Sequence, residues 1–583
     1  MTLTSTHISH DATPSDPSLH VTVLVDRCAG CQECVVRCPT GALSMEPSTW
    51  TATSDDASCV GCRQCVRTCP FGAIDVQGPV LVTARVTCPS HQPEQLTGSL
   101  AETRTGIHSW ADAIAETNRC LTCPDPTCVR GCPAHNDIPS FIAAIREGDL
   151  DEAHRVLRLT SFLPDICSRV CDQAVQCEGA CTWSLAGGTP VAIGALERFI
   201  TDNAAIQPLE HVSERGSGLG VAIIGSGPAG IGAAWELAQA GAAVTVFEKD
   251  DKPGGLPRWG IPDFTLPACV SSRPWDALLA GGVTLHCRTE MKPDQLDHLV
   301  QNYDAVILAH GAGTPVRLPV DGAALEGVWD STRFLIEARS ALADHRPLPV
   351  LKERADPGVV HVPTVLVLGA GNTAMDVARL ARRLGATAIC VDWMDRRFAP
   401  VRPDELEEAA AEGVDIRFST TIDHLEGVAG RVAVAHLNRT RQGSATDTPR
   451  VVGPSAAKEH VDLVVMAMGY RPDSDFAAIL PGVPVARTEL GLPDRRWQAS
   501  GLLAAAAPAF ARRQPIGEQA LGREGALARS GLSVANRVWA AGDALVGPAT
   551  VVEAMAQGRR VAHAILDAQP SRAVSQALKE IAS

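Results

Sequence analysis

Residues 28–39, CAGCQECVVRCP, and residues 59–70, CVGCRQCVRTCP, each place four thiols in the order CxxCxxCxxxC ahead of a proline. Three thiolates crowded into one short loop suit the corners of an iron–sulfur cube. Zinc sites instead usually hold two CxxC pairs apart on a longer loop. The two runs are an internal repeat. Gly30 and Gly61, with the matching stretches TGAL and FGAI, supply the tight turns that wrap such a core.

The spacing resembles that of bacterial two-cluster ferredoxins, in which the fourth cysteine of each run ligates the other cluster. On that pattern Cys28, Cys31, Cys34 and Cys69 hold one 4Fe–4S cluster, and Cys59, Cys62, Cys65 and Cys38 hold the second. Cys88, in VTCPSH, has no partner at ligand spacing and reads as structural.

Further thiols follow at looser spacing. RCLTCPDPTCVRGC carries Cys120, Cys123, Cys128 and Cys132, and ICSRVCDQAVQCEGAC carries Cys167, Cys171, Cys177 and Cys181. Spacing alone leaves open which of the latter are ligands, because Cys167 and Cys171 would share one face of a helix. Between these runs Pro139 can open a helix, where its missing N–H is not needed. Ile142, Ile145, Leu150, Ala153, Val156 and Leu157 recur at helical spacing, so short amphipathic helices must carry the thiols.

A different chemistry begins at residue 218. GLGVAIIGSGPAGIGAAWELAQAGAAVTVFEKD reads as strand, glycine turn, helix and strand, with Gly225, Gly227 and Gly230 in the turn and Glu248 closing the second strand. Such glycines let backbone approach a pyrophosphate at a helix N-terminus, and the acid about 20 residues on accepts from a ribose hydroxyl. TVLVLGAGNTAMDVARLARRLGATAICVDWMDRR, residues 364–397, repeats the arrangement with Gly369, Gly371 and Ala374, and ends at Asp392. Two dinucleotide sites imply two dinucleotides. An acid at Asp392 favours the free ribose hydroxyl of NADH, whereas Arg396 and Arg397 beyond it are either ligands for the phosphate of NADPH or a solvated basic pair, so the sequence reads as NAD(P)H.

A chain of 583 residues is long enough for roughly three to five domains of the usual 100–200 residues. Its net charge of -15 argues against nucleic-acid binding, which needs clustered Lys and Arg against phosphate. The first twenty residues are polar and lack the pattern of a secretion signal. No apolar run reaches the ~18 residues of a spanning helix. Twenty cysteines in such a chain read as metal ligands rather than disulfides, and the expected compartment is cytoplasmic.

From RCLTCPDPTC through ICSRVCDQAVQCEGAC to VAIGALERF, and on through both glycine turns, residues 110–570 resemble the glutamate synthase small subunit and dihydropyrimidine dehydrogenase. The resemblance implies two further 4Fe–4S clusters: Cys120, Cys123, Cys128 and Cys181 on one, and Cys132, Cys171 and Cys177 with the carboxylate of Glu197 on the other. Cys167 is not a ligand in that pattern. Asp172 stands where the family usually has proline, which puts a negative charge beside a cluster thiolate. The resemblance also implies FAD at the first glycine turn and NAD(P)H at the second. Gly225, Gly227, Gly230 and Glu248 then hold the adenosine half of FAD. The stretch GGLPRWGIP, with Gly255, passes the flavin, and Asp543 in AAGD contacts its ribityl-phosphate portion. The family's basic residue after FxLP is replaced by Ala268.

The fold expected is α/β. Two dinucleotide-binding, Rossmann-like domains are preceded by a helical iron–sulfur domain and a small α+β bacterial ferredoxin-like domain. The expected boundaries are a polar tail at 1–18, the ferredoxin-like domain at 19–95, the helical iron–sulfur domain at 96–212, FAD binding at 213–345 with 468–583, and NAD(P)H binding at 346–467. The function expected is an oxidoreductase that moves hydride from NAD(P)H to FAD and single electrons through four clusters to a ferredoxin or a separate catalytic subunit. Two alternatives stay open: a glutamate synthase small subunit proper, against which the front eight-cysteine repeat argues, and a non-enzymatic electron-transfer scaffold.

Overall fold

The structure is a computed structural model that describes residues 19–88, 96–205, 208–352, 361–453, 457–471, 533–535 and 537–568. The polar tail expected at 1–18, and residues 472–532 and 569–583 of the returning FAD-binding segment, lie outside the described residues. The chain divides into two compact units. One comprises Met1–Thr87, Ile107–Leu157 and Gln173–Ala204; the other comprises Cys88–Gly106, Arg158–Asp172 and Ala205–Ser583.

In the first unit the cysteine repeat builds two antiparallel hairpin-like pairs. His20–Val23 pairs with Ile74–Gln77, and Leu43–Glu46 pairs with Thr51–Ser54. Each cysteine loop runs into a one-turn helix, Glu33–Val36 or Gln64–Thr68, through a residue in the left-handed region, Gln32 (φ 63°) or Arg63 (φ 54°). Gly30 and Gly61 share φ 70°, and a Cβ would meet Trp50 Cδ1 at 2.5 Å in the first and Pro79 O at 2.5 Å in the second. Both positions therefore require glycine for conformation and for space. The small core joins Val21, Leu43, Ala52, Ile74 and Val76 to Cys34 and Cys65.

The helical part of this unit follows its capping signals. Ser109 accepts the Asp112 N–H to open the helix Trp110–Thr117. Asp137 caps Ile138–Glu147, with Pro139 in the first turn and Gly148 (φ 84°) ending it. The apolar stripe is buried as its period predicts: Ile138, Ile142, Ile145, Ala153 and Leu157 are all at most 2% exposed. A buried ion pair, Arg119 with Glu116, ties the pieces together. Arg119 donates to the Thr83, Thr189 and Pro190 carbonyls, while Glu116 accepts the Val86 and Ala192 N–H groups.

The second unit holds two parallel sheets. In the first, Gly220–Ile224 lies between Ala243–Phe247 and Ala305–Leu308, with Thr284–His286 and Val538–Ala540 outside them. Ser533–Ala535 adds an antiparallel edge. In the second, all strands run parallel in the order Val328–Asp330, Leu463–Met466, Thr364–Leu368, Thr387–Val391 and Asp415–Arg417. Both glycine turns leave a central strand, where open α/β sheets bind ligands. A smaller antiparallel sheet, Thr420–Val428 with Arg431–Arg441 and Ala457–His460, packs on the second one. There Ile422, Leu425, Val432, Ala435 and Leu437 meet Leu366, Leu368, Ile389 and Val391.

Candidate functional site

The structure gathers the front thiols in crossed sets. Burial raises the Cys34 thiol pKa, and the charges of Cys28, Cys31 and Cys69 raise it further. The same four residues line one pocket with Met45, Phe71 and Ile74. Cys65 is pushed up to about 12 by burial and by Cys62, Cys38 and Cys59. Backbone N–H groups already point at sulfur: Ala52 donates to Cys28 Sγ at 3.4 Å, Gly61 to Cys59 Sγ at 3.5 Å and Ala73 to Cys69 Sγ at 3.3 Å.

A third set lies in the helical part. Cys120, Cys123, Cys128 and Cys181 line a pocket with Ile138, Ile142, Thr182 and Trp183. Cys123 is raised to about 11 by burial, offset by a hydrogen bond with Thr182 whose Oγ1 lies 3.3 Å from the sulfur. Burial also raises Cys128, and Cys181, Cys120 and Cys123 add to it. Thiols that oppose one another's ionisation need bound cations to become ligands. Each of these three sets, four thiols around an apolar pocket or core, fits a 4Fe–4S cube.

The remaining predicted ligands divide between the two units. In the first, Cys132 ends the helix Thr127–Gly131, Cys177 sits half-buried in the turns before the helix Thr182–Leu185, and Glu197 is buried in the helix Ile193–Asn203. In the second, Cys167 is 2% exposed inside the helix Pro164–Val170, and Cys171 ends that helix. Asp165 of the same helix pairs with Arg273 at 2.6 Å, which fixes it on the flavin-type sheet's helical layer.

At the first glycine turn a Cβ on Gly225 or Gly230 would collide with the carbonyls of Ala309 or Gly225, and one on Gly255 would lie 2.8 Å from Gly227 Cα. The helix Pro228–Gln239 starts at Gly227 with no side-chain cap, so its first N–H groups face the turn. That is a cradle for a diphosphate. Glu248 accepts the Ser226 N–H at 3.0 Å and the Asp250 N–H at 2.9 Å. Gly542 (φ 72°) precedes Asp543, whose carboxyl burial raises to about 7.

The second turn is built alike. A Cβ on Gly369 would strike the Ala467 carbonyl, Gly371 faces open space, and the helix Asn372–Arg383 begins without a side-chain cap. Ala374 is fully buried, and Asp392 is 7% exposed. Asp392 accepts the Ala370 and Met394 N–H groups at 2.7 Å each. Arg396 and Arg397 are exposed, and Arg397 is held by Asp395 at 2.9 Å. Both turns therefore fit a dinucleotide.

Several contributors were not visible as site residues in the sequence. Arg67 donates to the Cys62 carbonyl at 3.1 Å and to Gln64 Oε1 at 2.8 Å, and its charge is felt by Cys62, Cys123 and Cys65. Two thiol sets thus share one guanidinium. Ser226 both donates to Glu248 and accepts the Gly254 N–H at 3.0 Å. Behind the second turn Arg379 and Arg383, both fully buried, meet Glu412, with Arg104 on Glu405 at 2.8 Å and Glu408 at 2.7 Å. The only early trace of this network is the spacing of Glu405, Glu408 and Glu412 along one helix face.

Comparison with known proteins accords with this reading. Residues 98–208 match the family described as dihydropyrimidine dehydrogenase domain II, 4Fe–4S cluster. Residues 27–73 match the 4Fe–4S dicluster domain, and residues 219–494 match the pyridine nucleotide-disulphide oxidoreductase family. The glutamate synthase (NADPH) small chain of Escherichia coli K12 is 35% identical over 376 residues, 62% of this chain and 78% of that protein. The NADP(+)-dependent formate dehydrogenase subunit beta of Moorella thermoacetica is 30% identical over 472 residues, 75% of this chain and 59% of that one. Among solved structures, FprA of Mycobacterium tuberculosis in complex with NADPH aligns with TM-score 0.43 and 19% identity, covering 62% of this chain and 89% of that one.

Proposed function

This chain belongs to the family of the glutamate synthase small chain, and we propose that it is the electron-input module of a larger oxidoreductase. It is an NAD(P)H-dependent flavin and iron–sulfur oxidoreductase, and the donor favoured here is NADPH. When bound, FAD takes up hydride and gives electrons singly to 4Fe–4S clusters, chemistry that no side chain of this protein supplies.

The chain's own residues position and bias those groups. Gly225, Gly227, Gly230 and Gly255 give the FAD diphosphate its backbone approach, Glu248 orders the turn beside the ribose, and Asp543 meets the ribityl-phosphate portion. Gly369, Gly371, Ala374 and Asp392 do the same for the coenzyme, whose 2'-phosphate falls to Arg396 and Arg397. Four clusters are proposed. Cys28, Cys31, Cys34 and Cys69 hold one, and Cys59, Cys62, Cys65 and Cys38 another. Cys120, Cys123, Cys128 and Cys181 hold the third; Cys132, Cys171, Cys177 and Glu197 hold the fourth. Residues 19–95 and 96–212 would then carry clusters, 213–345 with 468–583 the flavin, and 346–467 the coenzyme. The proposed terminus is a ferredoxin or a separate catalytic subunit. Among the described residues no helix is long and apolar enough to cross a membrane.

The observation that carries this reading is the pair of uncapped glycine cradles, alike in build, on two parallel sheets of one unit. A scaffold without redox chemistry would not need both. Anaerobic titration of the purified protein with NADPH and NADH tests it. NADPH is expected to bleach the flavin and to raise the paramagnetic resonance of reduced clusters, with about sixteen irons per chain, four for each 4Fe–4S site. Flavin bleaching with no cluster signal would overturn the relay, and bleaching by NADH alone would overturn the choice of donor.

A further inference from the structure

The antiparallel sheet of the second unit carries chemistry that neither nucleotide turn uses. In its register Leu425 faces Ala435, His424 faces His436 and Glu426 faces Val434. Leu425 and Ala435 point into the core, so strand alternation sends His424, Glu426 and His436 together to the other face. A bulge between Ile422 and His424 makes Asp423 the extra residue of its strand.

These side chains converge. His436 Nε2 lies 2.9 Å from Glu426 Oε1, and His424 Nε2 lies 4.0 Å from the same oxygen. The two imidazoles stack with centroids 3.9 Å apart and planes at 19°, so both Nε2 atoms leave the stack on the Glu426 side. One ligand atom from each residue falls within 4.8 Å of the other two. Tetrahedral ligands about 2.0 Å from zinc stand about 3.3 Å apart. The spacings here bracket that value, and the half-exposed His424 ring has the freedom to splay outward to reach it.

The surrounding contacts hold the His424 ring. His424 Nδ1 is 2.8 Å from Asp423 Oδ2, and Asn438 donates to the other oxygen of Asp423 at 2.8 Å. Asp423 thus buttresses the Nδ1 side of the His424 ring, and the Nε2 side is turned to Glu426. Ring nitrogens of both histidines and a carboxylate oxygen converge on one point, as the ligands of one cation would. A carboxylate orienting the far nitrogen of a histidine is the usual support of a histidine–metal bond.

We infer that His424, His436 and Glu426 form a binding site for a divalent transition cation of the zinc class, supported by Asp423 and Asn438. Two imidazoles and one carboxylate suit zinc and its neighbours over magnesium or calcium, which prefer oxygen. Three protein ligands leave a fourth position for water. Lys458, opposite His436 on the third strand, is exposed. The cation cross-links two strands of a sheet that packs on the coenzyme-type sheet, so its direct effect is on that sheet's stability.

The test uses the full protein with flavin and clusters loaded, stripped by a chelator that leaves the iron count intact, then dialysed against micromolar zinc. Metal per flavin is read by mass spectrometry, and the thermal midpoint is read with and without zinc. Wild type should take up about one zinc and melt higher. His424→Ala and Glu426→Gln, both at partly exposed positions, should keep flavin and iron but lose that zinc and the shift. Asp423→Asn should weaken zinc binding roughly ten- to a hundredfold. No zinc uptake by wild type overturns the site. Uptake retained in both ligand variants also overturns it, since the zinc then sits on cysteines without iron.

Discussion

Asp392 Oδ2 accepts the Ala370 N–H at 2.7 Å, which closes the second glycine turn onto the end of the neighbouring strand. Its other oxygen accepts the Met394 N–H at 2.7 Å. Glu248 serves the first turn the same way through Ser226 and Asp250. The acid that the sequence suggests as a discriminator between coenzymes is thus first an organiser of backbone. Asp392→Asn, which can accept only one of these bonds, should raise the KM for NADPH and NADH alike by about tenfold, the cost of one charge-assisted hydrogen bond. Arg396→Ala should raise the KM for NADPH alone. Steady-state kinetics with both coenzymes separates the two, and an NADPH-selective effect of Asp392→Asn would restore the discriminator role.

In the front repeat Cys69 lies with Cys28, Cys31 and Cys34, and Cys38 with Cys59, Cys62 and Cys65. Cys69→Ser should therefore damage the cluster of the first run and leave that of its own run intact. Redox-poised paramagnetic resonance of the variant reads this directly. Loss confined to the cluster of Cys59, Cys62 and Cys65 contradicts the crossing.

Cys167 is buried one helical turn before Cys171. If Glu197 completes the cluster of Cys132, Cys171 and Cys177, Cys167→Ala should keep full iron and unchanged spectra. Glu197→Ala should lose or distort one cluster while flavin reduction by NADPH persists. Iron lost from the Cys167 variant and kept in the Glu197 variant would reverse the assignment.

Burial raises the Asp543 carboxyl to about 7. An acid whose folded pKa lies above its unfolded one binds its proton more tightly in the folded chain, so stability falls as pH rises towards that value and then levels. From pH 6 to pH 8 the FAD-free protein should lose about 1.4 kcal/mol, one pKa unit's worth. Asp543→Asn should flatten the profile and be the more stable form at pH 8. Anaerobic denaturant midpoints at several pH values measure this, and an unchanged slope in the variant removes Asp543 as its source.

What the sequence makes legible is chemistry written in neighbouring residues. The cysteine loops, Gly225 and Gly369, and the helix start at Pro139 all act within a few positions of themselves. Their strands, turns and helices emerge as read. Partners drawn from far along the chain are not legible. Arg104 reaches Glu408 across the whole first nucleotide sheet in sequence, and the bonds of Asp392 to Ala370 depend on two strands lying side by side. Likewise Cys171 and Cys177 are close in sequence, yet the chain passes from one compact unit to the other between them.

The ion network behind the second turn gives the largest expected stability effect. Arg379 donates to Glu412 at 3.0 and 2.9 Å, Arg383 also bonds Glu412, and all three side chains are fully buried. Both guanidiniums lie over Phe264, at 4.3 and 3.8 Å from its centroid. Aromatic faces soften the burial of these cations but cannot balance two charges. Glu412→Ala removes the one carboxylate they share; Arg379 keeps Glu408 at 2.7 Å, but Arg383 loses its paired carboxylate while desolvated, which should cost about 3–5 kcal/mol. Replacing Arg383 and Glu412 together with apolar residues of similar volume should cost less, because Arg379 keeps Glu408 and no unpaired guanidinium is left buried. Denaturant unfolding of the single and double variants, each with its iron and flavin content checked, distinguishes the cases. Equal losses in both would mean that packing around Phe264, and not the stranded charge, sets the stability there.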